Sequence, residues 1–144
     1  MTDPDALLSD NERARCAVIA RRLDAAQSLA QLALVCIAVT MIGLAVGAWR
    51  EERLAIGLVA TALGLVERYF ALRIRLDAGL FSDLAAGRIA TLGALDAGLA
   101  SIGVQARAAR SLDDRIAGCR GLWRRHLAVA AAQALLALLL VLSS

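Results

Sequence analysis

Residues 25–49, AAQSLAQLALVCIAVTMIGLAVGAW, contain no charged side chain, and neither do residues 127–144, LAVAAAQALLALLLVLSS. At ~1.5 Å of rise per residue, about 20 helical residues cross a hydrocarbon layer ~30 Å thick. The first run exceeds that length and the second just reaches it. Both read as membrane spans, the first over 26–49 and the last over 127–144. The segment before the first run is long and carries acids, and the run outlasts an ordinary h-region. It therefore reads as a span rather than a signal peptide, although Val46-Gly47-Ala48 has the composition of a cleavage site.

Working outward, Arg50-Glu51-Glu52-Arg53 is a short charged break that turns the chain back in an antiparallel pair of helices. The apolar run after it, residues 54–66, is too short to cross alone, so the helix has to continue through Glu67 and Arg68. A second span over 53–72 results, with Tyr69 as an interfacial anchor. The alternative is a re-entrant hairpin.

In the N-terminal segment 1–25, residues 1–10 are acidic and polar, and residues 11–24 read as an amphipathic helix with Ser9 or Asp10 as its cap. Cys16, Ile19, Ala20 and Leu23 oppose Arg13, Arg15, Arg21 and Arg22. This helix is expected to run unbroken into the first span. Residues 73–126 carry two more amphipathic stretches. Leu76, Leu80, Phe81 and Leu84 share one face before Gly87, and Ile89, Leu92, Leu95, Leu99 and Ile102 share another before Gly103. Leu76–Ser82 and Leu95–Ser101 match at six of seven positions, which an Ala/Leu-rich chain produces by chance more readily than by duplication. Ser111 and the acids behind it cap a last helix, in which Leu112, Ile116, Cys119 and Trp123 align.

The fold class is thus an all-α integral membrane protein: three transmembrane helices, with a cytoplasmic amphipathic helical hairpin between spans two and three, in a single membrane domain over 1–144. The composition agrees. Aromatics are scarce, Ala and Leu dominate, and the alternating segments of a transmembrane barrel are missing. All 16 cations are arginine: four in the N-terminal segment, two around the hairpin turn, and ten in residues 67–126. The positive-inside rule then puts the N-terminus and the middle segment in the cytoplasm and the C-terminus outside a cell inner (plasma) membrane. The arginines alternate with 13 carboxylates, which argues against nucleic acid as a partner.

Gly43 and Gly47 form a GxxxG in the first span, and Gly57, Thr61 and Gly64 a small face in the second. Small residues at this spacing let helix backbones approach closely, either within the hairpin or between molecules. Gln31, Glu67 and Gln133 are the polar groups expected inside the membrane, as paired structural contacts or as a vestibule. His126 stands beside Arg124 and Arg125, where the sequence suggests a headgroup-level residue. Arg120, Trp123, Arg124 and Arg125, with Arg107, Arg110 and Arg115, make a basic approach to the third span suited to anionic lipid or an acidic partner.

No catalytic constellation, phosphate loop or metal-ligand spacing is present. Cys16, Cys36 and Cys119 have no paired spacing. No enzyme activity, cofactor or metal is expected. The function this supports is a small bacterial-type inner-membrane structural or accessory subunit, a scaffold that forms a homo-oligomer or docks a partner membrane protein. The alternative is a small homo-oligomeric pore, transporter-like protein or membrane effector. An amphipathic N-terminal helix, a two-span hairpin and a helix continuing through Glu67-Arg-Tyr-Phe-Ala-Leu-Arg73 resemble in layout the SLATT two-span effector domains of bacterial defence systems, over about half the chain. The third span departs from that layout, so no site residue is carried over from it.

Overall fold

The computed structural model describes residues 6–45, 51–104 and 110–142. Among these, every regular element is an α-helix: α1 (Asp10–Asp24), α2 (Ala26–Ala45), α3 (Glu51–Ala85), α4 (Leu92–Ser101) and α5 (Leu112–Leu142). Three helical stretches, Asp10–Ala45, Arg53–Ala85 and Leu112–Leu142, are long and apolar enough to cross a membrane. The chain divides into two compact units. One combines the chain up to Asp24 with Arg75–Gly121. The other combines Ala25–Ile74 with the chain from Leu122 onward.

The helix ends follow local chemistry. Ser9 and Glu12 form a reciprocal capping box on α1. The Ser9 backbone N–H donates to Glu12 Oε2, and the Glu12 N–H donates to Ser9 Oγ. Thr91 caps α4 by accepting from the Ala94 N–H, and Ser111 caps α5 by accepting from the Asp114 N–H. Gly87 and Gly103 end α3 and α4 at φ of 71° and 78°, a conformation that costs glycine little. At each, two backbone bonds complete a Schellman motif: Gly87 N to Leu84 O with Arg88 N to Asp83 O, and Gly103 N to Ala100 O with Val104 N to Leu99 O.

Several expectations change. The first helix does not run unbroken into the first apolar stretch but is interrupted at Ala25. Buried positions there step Ala20, Leu23, Ala26, three residues apart twice, where a steady seam needs alternating threes and fours. α3 passes through Glu67 as one helix, as the sequence reading required. Leu76 and Ile102 are exposed rather than on a buried stripe, and α4 begins at Leu92 rather than Ile89. The two matching heptapeptides bury different positions, Ala78 and Phe81 in the first and Leu95 in the second.

The unit containing α1 has a conventional apolar core. Cys16, Ala20, Leu23, Ala78, Phe81, Leu84, Leu95, Leu112 and Ile116 are all buried in it. Polar ties lie around that core. Arg115 of α5 pairs with Asp96 of α4 at 2.6 Å, Arg15 of α1 pairs with Asp113 of α5, and the Cys119 thiol donates to Asp77 Oδ2 at 3.6 Å. Burial pushes the Cys16 thiol up from its ordinary value, so it is a packed apolar group rather than a reactive thiolate.

The second unit is built the other way round. Its buried residues are mostly small or polar: Ala26, Ala30, Ala33 and Thr40 of α2, Gly57, Ala60, Gly64 and Glu67 of α3, and His126, Gln133 and Ala137 of α5, with Ile74 and Leu140 the large apolar exceptions. Large apolar side chains face outward, among them Leu32, Val35, Ile42, Leu58, Leu65, Leu135 and Leu138. In α3 the inward positions 57, 60, 64, 67, 71 and 74 alternate by threes and fours. In α5 the same rule joins 119, 123, 126, 130, 133, 137 and 140. This is the heptad register of knobs-into-holes packing. Contacts stack in three layers. Leu44 and Leu136 pack on Ala60 and Leu140; Ile37 and Gln133 close on Gly64; and Ala30, Arg68, Glu67 and His126 meet in the third.

Candidate functional site: a buried Glu–Arg–His–Gln cluster

The third layer and its neighbour hold the buried polar chemistry of the apolar unit. Glu67 and His126 have no exposed surface, and Gln133 has 1%. Each arrives by register. Glu67 follows Gly64 by one turn on the inner face of α3. His126 and Gln133 stand two turns apart on the inner face of α5. α2 supplies backbone only.

The contacts are asymmetric. Glu67 Oε2 accepts from Arg68 Nε at 3.0 Å, and Arg68 Nη2 donates to the Ala30 carbonyl. The Arg68 side chain is 36% exposed, whereas Glu67 is sealed. Glu67 Oε1 lies 3.5 Å from His126 Nδ1, within ion-pair range but too long for a hydrogen bond. Gln133 Nε2 donates to the Ala33 carbonyl at 3.1 Å. Four buried atoms are left without a hydrogen-bond partner: Glu67 Oε1, both ring nitrogens of His126, and Gln133 Oε1. An unsatisfied buried polar atom costs ~1–3 kcal/mol, so the cluster opposes stability where alanine or leucine would not. Trp123 covers one side, its ring tilted against the imidazole at 6.1 Å between centroids.

The residues singled out in the sequence distribute as follows. Glu67 and Gln133 belong to the cluster. Gln31 does not; it is exposed, because the inner face of α2 is occupied by Ala30 and Ala33. Arg68 of the same helix reaches Glu67, and the buried His126 joins it from α5. Gly57 and Gly64 are buried as expected. Thr61 is half-buried, returning its hydroxyl to the Gly57 carbonyl at 2.9 Å, and Ala60 takes the inward position. Gly43 is half-buried, and Gly47 lies outside the described residues, as does Arg107.

A close helix approach falls at Gly64. A Cβ there would stand 2.4 Å from Ile37 Cγ1 and 2.7 Å from Gln133 Nε2. In the basic approach, Arg120, Arg124 and Arg125 are exposed and Trp123 is half-buried. Arg115 is turned inward onto Asp96.

Sequence reasoning missed His126 because its neighbours in the chain are arginines. The signal that finds it is the seven-residue interval to Gln133, which puts both on the face begun by Leu112, Ile116 and Cys119. Searches against protein-family models, curated proteins and solved structures find no match to this chain.

Proposed function

We infer that this protein is a three-span inner-membrane protein that works without catalysis. In this reading it is a structural or accessory subunit that assembles with itself or with a partner membrane protein. The N-terminus and the segment between spans two and three lie in the cytoplasm, and the C-terminus outside.

The observation that supports this reading is the side-chain distribution of the unit formed by α2 and the adjoining parts of α3 and α5, mostly small and polar inside, Ile74 and Leu140 excepted, and large and apolar outside. In water such an outer surface would be an aggregation hazard far beyond ordinary patch size. In lipid the tails are as apolar as leucine, so bulky side chains gain nothing by hiding, and small residues win the interior through close backbone packing. The capped, ion-paired unit built around Cys16 and Leu95 has the opposite pattern and suits an aqueous location. Its exposed arginines support contact with anionic headgroups.

The test is topology with mass. Reporter fusions at Ser144 should read external and fusions near Arg107 cytoplasmic. Mass in mild detergent and in lipid discs should exceed one chain. Termini on one side refute the third span, and a monomer in every medium refutes self-assembly. The buried polar cluster favours a second reading, a small homo-oligomeric pore or membrane effector. Conductance across a bilayer reconstituted with the purified chain separates the two.

A further inference from the structure

We propose that Glu67 and His126 form a proton-binding site inside the apolar three-helix unit, in which one proton taken up from solvent ties α3 to α5. Three observations lead there. First, the unpartnered atoms are unbalanced. With neutral imidazole, Glu67 Oε1, Gln133 Oε1 and one ring nitrogen are acceptors, against a single ring N–H donor. One added proton makes the count two against two. Second, the charges differ in depth. The Glu67 carboxylate is wholly buried, while the Arg68 side chain that neutralises it is 36% exposed and shared with the Ala30 carbonyl. An imidazolium at His126 would be as deep as the carboxylate it faces. Third, the 3.5 Å between Glu67 Oε1 and His126 Nδ1 admits no heavy atom between them, and closes to an ordinary charge-assisted bond of ~2.8 Å by a shift of about 0.7 Å. A proton is the ligand that needs no cavity.

The step balances simply. Hydronium gives its proton to the unprotonated ring nitrogen and departs as water. An N–H bond forms, and the imidazolium then donates from Nδ1 to Glu67 Oε1. Burial of the ring is the largest influence and opposes this state; of the charged groups acting on it, Glu67 favours the state and Arg68 opposes it, both from α3. α2 brings only the Ala30 and Ala33 carbonyls to the cluster. The site is independent of whether the protein assembles, and failure of the membrane topology would be read by the fusions above rather than by the titration below.

His126 is the sole histidine of the chain, so its ring can be followed alone. The experiment is nitrogen-15 NMR of histidine-labelled full-length protein in lipid discs, titrated from about pH 8 to pH 4, a range that spans ordinary histidine protonation. The expected result is conversion from one neutral tautomer to the doubly protonated ring. Glu67→Gln should lower the proton affinity at least about tenfold, one pH unit at the midpoint. Arg68→Gln should raise it. A misfolded variant exposes the ring to water and cannot shift it in opposite directions by these two changes. A ring that stays neutral to pH 4 overturns the proposal. So does a midpoint unchanged by Glu67→Gln, or one lowered or unchanged by Arg68→Gln.

Discussion

Adding one methyl group at Gly64 should destabilise the three-helix unit by about 2 kcal/mol. The new Cβ of Gly64→Ala would stand 2.4 and 2.6 Å from Ile37 Cγ1 and Cδ1, and 2.7 Å from Gln133 Nε2. Ile37 is β-branched, and a helix holds such a side chain in essentially one χ1 rotamer, so Cγ1 cannot swing aside. Either α2 and α3 separate or the side chain leaves its rotamer, and overpacking of this kind costs ~1–3 kcal/mol. The Gln133 amide must also retreat from the Ala33 carbonyl, and an interhelical hydrogen bond in a membrane bundle is worth ~0.6–1.7 kcal/mol. Alanine recovers ~1 kcal/mol over glycine in helix propensity. The sum runs from roughly 0.6 to 3.7 kcal/mol with its centre near 2. Gly79 is the control. It lies on the same helix, and nothing stands within 4 Å of its Cβ position, so Gly79→Ala should stabilise by up to ~1 kcal/mol. The assay is equilibrium unfolding from mixed micelles by increasing SDS, followed by circular dichroism, with hydrogen exchange in α2 and α5 as the local readout. Gly64→Ala at or above native stability would refute the three-helix contact.

Three further outcomes test other parts of the molecule. The Ser9 backbone N–H and hydroxyl hold the Glu12 carboxyl below its ordinary value of 4.5. A depressed folded value means that the cap's contribution is present at higher pH and is lost as pH falls through that value, so hydrogen exchange in the first turn of α1 should quicken on acidification. Ser9→Ala should remove ~1 kcal/mol and weaken that pH dependence without abolishing it, because the backbone N–H of residue 9 still donates to Glu12. The mostly buried Arg115–Asp96 pair pins α4, and Asp96→Asn should cost about 2 kcal/mol, between exposed and fully buried pairs, seen as faster exchange in α4. Leu135 is exposed near the middle of the third apolar stretch. Leu135→Arg should lower membrane insertion by ~3 kcal/mol in a glycosylation-based insertion assay, whereas a water-facing site would tolerate it.

Much of the architecture was legible because it rests on local chemistry. Charge-free runs mark the three apolar helices, and the stops at Gly87 and Gly103 and the caps at Ser9 and Ser111 each depend on one residue and its immediate neighbours. The interruption at Ala25 was not legible. No glycine, proline or polar cluster marks it, and it shows only as a slip in the spacing of buried positions. Thr61 and Ala60 make the same point. The small-residue rule of four selects Gly57 and Thr61, but the face turns through Ala60 because successive inward steps alternate between three and four.

The cluster was half legible because these helices are apolar on more than one face. In a water-soluble helix, hydropathy has the helical period, because one face is wet. In α2 and in the later part of α5 both faces are apolar, so hydropathy carries almost no phase. What retains the period is side-chain size and polarity: Ala30, Ala33 and Thr40 on one helix, His126, Gln133 and Ala137 on another. Polarity inside such a unit cannot be credited to stability, since the inward Glu67, His126 and Gln133 leave four atoms unpaired where apolar residues would leave none. An apolar unit with a sealed carboxylate, a sealed imidazole and one partly exposed guanidinium has two protonation states that differ in how firmly α3 holds α5. Helix packing alone explains the glycines and alanines, and it leaves the histidine without a purpose.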